Sequence, residues 1–195
     1  MKICEDAMFP HRWPGVASRL SQGPFPASGG YACAQASLEW ARLPGSPADI
    51  ESMLIHGQCH CGNITFSLIW KPEPSEIPAR ACDCSFCTKH GGVWTSCPTG
   101  SLKIVVKEPT LVSRYTFGTR TATFHTCTRC GVVPVVTSEI DGRLYAVVSV
   151  NAFDNVDPSL IRRVTGSFEG EDKALRLARR QRNWIADVEL VEAAH

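Results

Sequence analysis

Cys59-His60-Cys61, Cys82-Asp83-Cys84-Ser85-Phe86-Cys87 and Cys127-Thr128-Arg129-Cys130-Gly131 hold seven of the ten cysteines in this 195-residue chain, and their spacing decides the fold. Such clusters suit thiolate ligands of a soft metal. A structural zinc takes four ligands in a tetrahedron, whereas a reactive zinc keeps three and leaves the fourth position to water or substrate. Seven clustered cysteines divide as four plus three. Residues i and i+2 of a strand share a face, so Cys59 and Cys61 are expected to chelate one ion from a strand, with His60 turned away. Cys127 and Cys130 read as a turn, and Gly131 supplies the backbone freedom that lets a knuckle curl around a metal. Cys82, Cys84 and Cys87 can bring three sulfurs to one point by themselves. Spacing alone leaves open which pair joins which.

A disulfide framework is the competing reading. Ten cysteines in 195 residues fall below the roughly 8–10% of disulfide scaffolds, and cysteines two apart bridge poorly because the short loop strains the bond. The start, Met1-Lys2-Ile3-Cys4-Glu5-Asp6, has early acids, then Pro10 and Pro14, and no apolar run of a secretory signal. The expectation is therefore a reducing, cytoplasmic setting and two zinc ions per chain, although four thiolates also suit iron. Cys4, Cys33 and Cys97 read as ordinary thiols.

With 44% hydrophobic and 20% charged residues, the chain is globular material of about one domain. A net charge of +1 gives no general attraction to nucleic acid or membrane, and no apolar run approaches the ~20 residues of a membrane-spanning helix. Residues 1–52 are broken by Pro10, Pro14, Pro24, Pro26, Pro44 and Pro47, with only Tyr31 to Arg42 faintly helical. They read as a poorly structured extension, with Met53 a candidate natural start. The zinc-binding domain is assigned to 53–160 and a C-terminal segment with a helix to 161–195.

The body reads as short strands: Asn63–Trp70, Ser101–Val106, Leu111–Phe117, Arg120–Thr126, Val132–Ile140 and Leu144–Val150, the last two joined by an Asp141-Gly142 hairpin. A helix is expected from Glu171-Asp172 to about Ile185, with Ala174, Leu177, Ala178, Gln181, Trp184 and Ile185 on its inner face. That leaves Arg176, Arg179, Arg180 and Arg182 as a solvated basic face. No repeat, P-loop or dinucleotide fingerprint is present.

Gly57-Gln58-Cys59-His60-Cys61-Gly62-Asn63-Ile64-Thr65-Phe66, the second and third cysteine clusters, and Val148-Ser149-Val150-Asn151-Ala152-Phe153-Asp154 together resemble the family of glutathione-dependent formaldehyde-activating enzymes, which includes centromere protein V. The resemblance covers about residues 57–157. It implies a mainly β, tent-like zinc-stabilised domain, with Cys59, Cys61, Cys127 and Cys130 on a structural zinc and Cys82, Cys84 and Cys87 on an open one. It further implies a carbon–sulfur lyase resembling S-(hydroxymethyl)glutathione synthase, with a glutathione-type thiol and a small aldehyde as partners. His90, three residues after Cys87, is the candidate proton carrier or fourth ligand. His125 would share a strand face with Cys127. Lys89 and Arg129 are candidate contacts for carboxylates, and Gly91-Gly92 marks a turn. The alternative is a non-catalytic zinc-stabilised binding module whose three-cysteine site is completed by a side chain such as His90.

Overall fold

A computed structural model describes residues 51–167 and 170–194. The expectations for the N-terminal extension, its faint helix, Cys4 and Cys33 lie outside the described residues. The described chain is mainly β, with eleven strands and two α-helices. One sheet has β1 (Met53–Gln58), β2 (Ile64–Trp70), β5 (Ser101–Val106) and β11 (Asp187–Glu192) in the order β1-β2-β5-β11. The other has β3 (Ile77–Cys82), β4 (Val93–Thr95), β6 (Val112–Tyr115), β7 (Thr123–Cys127), β8 (Val135–Ile140), β9 (Arg143–Ser149) and β10 (Ile161–Gly166). Its order is β10-β3-β4-β9-β8-β7-β6. Pairing is antiparallel except for β10 on β3 and β11 on β5. Two helices complete the set, α1 (Ser85–His90) and α2 (Lys173–Asn183).

The period-2 rule explains the small sheet. Ile64, Phe66, Leu68 and Trp70 of β2 point inward, and so do Leu102, Ile104 and Val106 of β5, while Thr65, Ser67 and Ile69 face out. The large sheet is buried on both faces around β8 and β9, where consecutive residues are buried, the polar Thr137, Ser138 and Ser149 among them. Val135, Ala146 and Val148 join the core shared with the small sheet. Val136, Tyr145 and Val147 face a second core with Trp94, Phe124 and Trp184. The hairpin falls where Asp141-Gly142 places it, with φ of 52° and 75° at the two residues, as a type I′ turn requires.

Strand limits shift where local chemistry intervenes. Val132 to Pro134 stay outside β8 because Val132 closes the knuckle after Cys130, its carbonyl accepting from the Cys127 N–H at 3.0 Å, and Pro134 has no N–H for a ladder. Arg120, at φ 56°, belongs to a turn, so β7 begins only at Thr123.

The expected face of the C-terminal helix is corrected. Asp172 caps α2 by accepting from the Leu175 N–H at 2.8 Å, but the buried side chains are Arg176, Arg179 and Arg180. Ala174 and Gln181 face solvent, and Leu175 is 61% exposed. Leu177 nevertheless packs against the second core, and Trp184 and Ile185 are buried just beyond α2, as expected; the rest of the surface beneath the helix is polar. Arg180 donates to the Thr121 carbonyl at 2.6 Å and to Ser138 Oγ at 2.8 Å, and it stacks on the Trp184 ring. Arg179 pairs with Glu171, whose carbonyl also accepts from Arg176. Arg180 therefore docks the helix on the large sheet while Arg176 and Arg179 tie it to Glu171 just ahead of its N-cap, and long aliphatic stems let an arginine cover apolar surface while its head is satisfied. Beyond α2 the chain bonds to β9, Ile185 and Ala146 exchanging both backbone hydrogen bonds at 3.0 Å, before entering the small sheet as β11. Arg180→Met should lower stability by about 3 kcal/mol, because hydrogen bonds to a charged group contribute roughly 1.5–3 kcal/mol each. That corresponds to a fall of about 6–12 °C in Tm for a chain of this size. Exposed Arg182→Met should stay within about 0.5 kcal/mol. Thermal melts followed by circular dichroism compare the two, and equal melting points would return the arginines to a solvated face.

Candidate metal centres

The sulfurs of Cys59, Cys61, Cys127 and Cys130 all lie within 4.8 Å of one another. Cys59 Sγ and Cys61 Sγ are 3.7 Å apart, and Cys61 Sγ and Cys127 Sγ 3.4 Å. A tetrahedron with metal–sulfur bonds of about 2.3 Å has edges of about 3.8 Å, so the set fits a four-thiolate ion. The route to it differs from the strand expected for Cys59 and Cys61. Both lie beyond the end of β1 in a turn, where the Gly62 N–H bonds to the Cys59 carbonyl at 2.8 Å and Gly62 takes φ 71°. The Cys127 turn repeats the device: the Gly131 N–H bonds to the Cys127 carbonyl at 2.8 Å, at φ 78°. A positive φ is accessible to glycine without steric cost, so each turn can tighten until its two sulfurs meet. The Ile64 N–H also points at Cys59 Sγ, at 3.3 Å.

Asn63, buried beside the first turn, accepts from the Glu108 N–H at 2.8 Å and donates to the Glu108 carbonyl at 3.2 Å, tying the turn to the chain leaving β5. Burial pushes the Cys59 thiol up to about 12, so its thiolate needs a cation beside it. His60 is exposed, away from the sulfurs. His125 is buried on the same side of β7 as Cys127, its Nε2 2.8 Å from Thr137 Oγ1. Burial, aided by the nearby charge of Arg114, holds it neutral with a pKa of about 4.

The sulfurs of Cys82, Cys84 and Cys87 form the second group within 4.8 Å, all three side chains buried. Cys82 ends β3, Cys84 is the N-cap of α1, and Cys87 sits in its first turn. The Cys84 sulfur accepts the Cys87 N–H at 3.3 Å, as an N-cap side chain should. Residues three apart share a helix face, so capping and convergence are one arrangement. The Cys84 N–H approaches Cys82 Sγ at 3.5 Å, and the Trp94 indole N–H donates to Cys87 Sγ at 3.2 Å. Donors aimed at sulfur favour the thiolate that a metal needs. Cys82 is disulfide-bonded, which departs from the all-thiol expectation. The other described cysteines carry no disulfide. Ligation by Cys82 requires that bond to be reduced.

Around this group the structure brings some expected residues together and leaves others apart. His90 closes α1. Its Nδ1 lies 2.8 Å from the Phe86 carbonyl, which can only accept, so Nδ1 carries the hydrogen and Nε2 keeps its lone pair. Nε2 is buried without a hydrogen-bond partner, and burial lowers the imidazole's pKa. His90 is not in the sulfur group. A Cβ on Gly92 would sit 2.9 Å from both Cys87 Sγ and His90 Nε2, so these two atoms face one small space that glycine keeps open. Gly91, at φ 67°, caps the helix. Lys89 lines a shallow groove with Asp83, Ser85 and Thr88. Arg129 is distant in role, paired with Glu108 at 3.3 Å.

Sequence reasoning missed the aromatic wall. Phe86 packs on His90, Tyr115, Phe117 and Phe124 with centroids 4.4–5.4 Å apart, and Trp94 packs on His90 and Phe124 at 6.1 and 6.0 Å. Phe86 stands between two of the clustered cysteines, the one signal that could have marked it. Asn151, donating to the Gly91 carbonyl at 2.7 Å, was quoted without a role.

The two clusters should respond differently to ligand loss. A structural four-thiolate zinc contributes on the order of 10 kcal/mol to folding, so Cys127→Ser is expected to abolish folded protein. Cys84→Ser should leave a folded chain with about half the metal. Elemental mass spectrometry and circular dichroism of the reduced proteins make the comparison; two equally folded, fully loaded variants would overturn the four-plus-three division.

Comparison with known proteins adds three findings. A sequence profile described as "Glutathione-dependent formaldehyde-activating enzyme" matches residues 54–168. No curated protein sequence matches the chain. Among solved structures, a Rhodobacter sphaeroides protein is 28% identical over 53% of this chain and 92% of its own, with a TM-score of 0.40.

Proposed function

The chain belongs to the glutathione-dependent formaldehyde-activating enzyme family, and from that membership we propose that it is a carbon–sulfur lyase joining a glutathione-type thiol to formaldehyde or a related small aldehyde. The observation that carries the reading is the shared space between Cys87 Sγ and the bare Nε2 of His90. Cys59, Cys61, Cys127 and Cys130 would hold one zinc as a structural clasp, and Cys82, Cys84 and Cys87 a second. When bound at three thiolates, zinc supplies a Lewis acid with a free position that favours the ionised form of an entering thiol.

The protein's own groups then have defined tasks. The Phe86 carbonyl holds His90 as the Nδ1–H tautomer, so Nε2 can take the thiol proton. In the forward direction a carbon–sulfur bond forms, the carbonyl π bond of the aldehyde breaks, and that proton returns to the new hydroxyl oxygen. The reverse sequence cleaves the adduct. Phe86 and Trp94 shield His90 from water on one side. The groove of Asp83, Ser85, Thr88 and Lys89 offers opposite charges and hydroxyls to the amino and carboxylate ends of glutathione. The mainly apolar exterior of a membrane span has no counterpart among the described helices, and a reducing cytoplasm would keep the seven clustered thiols available to metal.

The reduced protein should contain two zinc ions, and glutathione should add one sulfur neighbour to one of them in X-ray absorption. Zinc with an unchanged shell would move the reading to a structural binding module. Thiols add to formaldehyde unaided, so catalysis is measured as added exchange between free and hydroxymethylated glutathione by NMR. His90→Gln should reduce that added rate about 100-fold while leaving thiol uptake intact, the scale of a lost general base.

A further inference from the structure

We propose that Arg80 is a positioning residue for anions at the three-cysteine site, holding a fixed positive charge that admits a further negatively charged ligand. The inference rests on the functional reading above and goes past it, to what controls thiolate entry. Three thiolates and a divalent cation carry a net charge of −1, and an entering thiolate makes it −2 in a buried setting. An uncompensated charge of that kind is strongly disfavoured away from water.

Arg80 is placed to offset it. It lies on β3 two residues before Cys82, and both side chains are buried. Across the ladders its neighbours are Trp94 on β4, whose indole N–H reaches Cys87 Sγ, and Val164 on β10. Its guanidinium donates to the Gly166 carbonyl at 2.6 Å, and Gly166 is the register partner of Cys82. A Cβ on Gly166 would lie 2.6 Å from Arg80 Nε, so the glycine gives the guanidinium its room. A guanidinium stays protonated at any working pH, so the charge is permanent.

The test uses reduced full-length protein loaded with cobalt(II), whose absorption reports ligands entering an open site. 2-Mercaptoethanol and azide serve as anionic probes and imidazole as a neutral one. In Arg80→Met, affinity for both anions should fall about tenfold or more, the scale on which an adjacent opposite charge shifts ionisation, with imidazole affinity unchanged. Arg80→Lys should keep most of the anion affinity. Gly166→Ala, which displaces the guanidinium without removing it, should weaken anions alone and provides the test if Arg80→Met does not fold. Equal loss for anions and imidazole, no loss for either, or an Arg80→Lys protein as weak as Arg80→Met, would overturn the proposal while leaving the functional reading intact. A wild-type protein whose cobalt spectrum ignores thiol would overturn that reading, and this inference with it.

Discussion

Four sulfurs, two of them buried, drawn to within a few ångströms are the constraint on which the described fold depends. Cys61 and Cys127 stand 66 residues apart in sequence and 3.4 Å apart in space. Everything between them, including the second cysteine group, hangs in the loop their meeting closes. Closing so long a loop costs conformational entropy, and clustered thiols have no strong attraction for one another. A cation at the centre would resolve both difficulties. The two glycine-ended turns are near-copies of one another, because each has to bend around the same point.

The second group is built by a different principle. Its three sulfurs come from six consecutive residues, and one helical cap brings two of them together. It sits in the core on the other side of the large sheet from the first group. The separation follows from the period of β8 and β9, whose alternate side chains enter different cores. A chain with one clasp and one locally formed site can thus lose the local ligands without losing the clasp.

Much of this was legible in the residues. The two pairs and the triplet appear in the sequence as spacings, and Ser101–Val106 was read with its observed limits because apolar and polar residues alternate between clear breaks. The hairpin was legible because Asp-Gly suits positive φ at both positions. β11 was missed although Asp187-Val188-Glu189-Leu190-Val191-Glu192 alternates, since the helix before it drew the attention of the pattern. β10 could not be read: Arg162, Arg163, Val164 and Thr165 are all exposed, and its strand character comes from pairing with β3. The buried arginines were misread for a related reason. Charge predicts exposure until a specific acceptor is present, and the Thr121 carbonyl and Ser138 hydroxyl lie 59 and 42 residues from Arg180.

By itself the sequence determined the class of fold, the three cysteine clusters and the family, because strand alternation, turn chemistry and ligand spacing act over ten residues or fewer. Only the tertiary structure decided that Cys59 and Cys61 sit on a turn and that α2 docks by Arg180. It alone placed Arg80 and Trp94 behind the second cluster and left His90 Nε2 facing Cys87. These are matters of which distant groups meet, and side-chain pairing across strands has no local signature. Hydrogen bonds and buried charge take their meaning from the partner, and the partner is chosen by the fold.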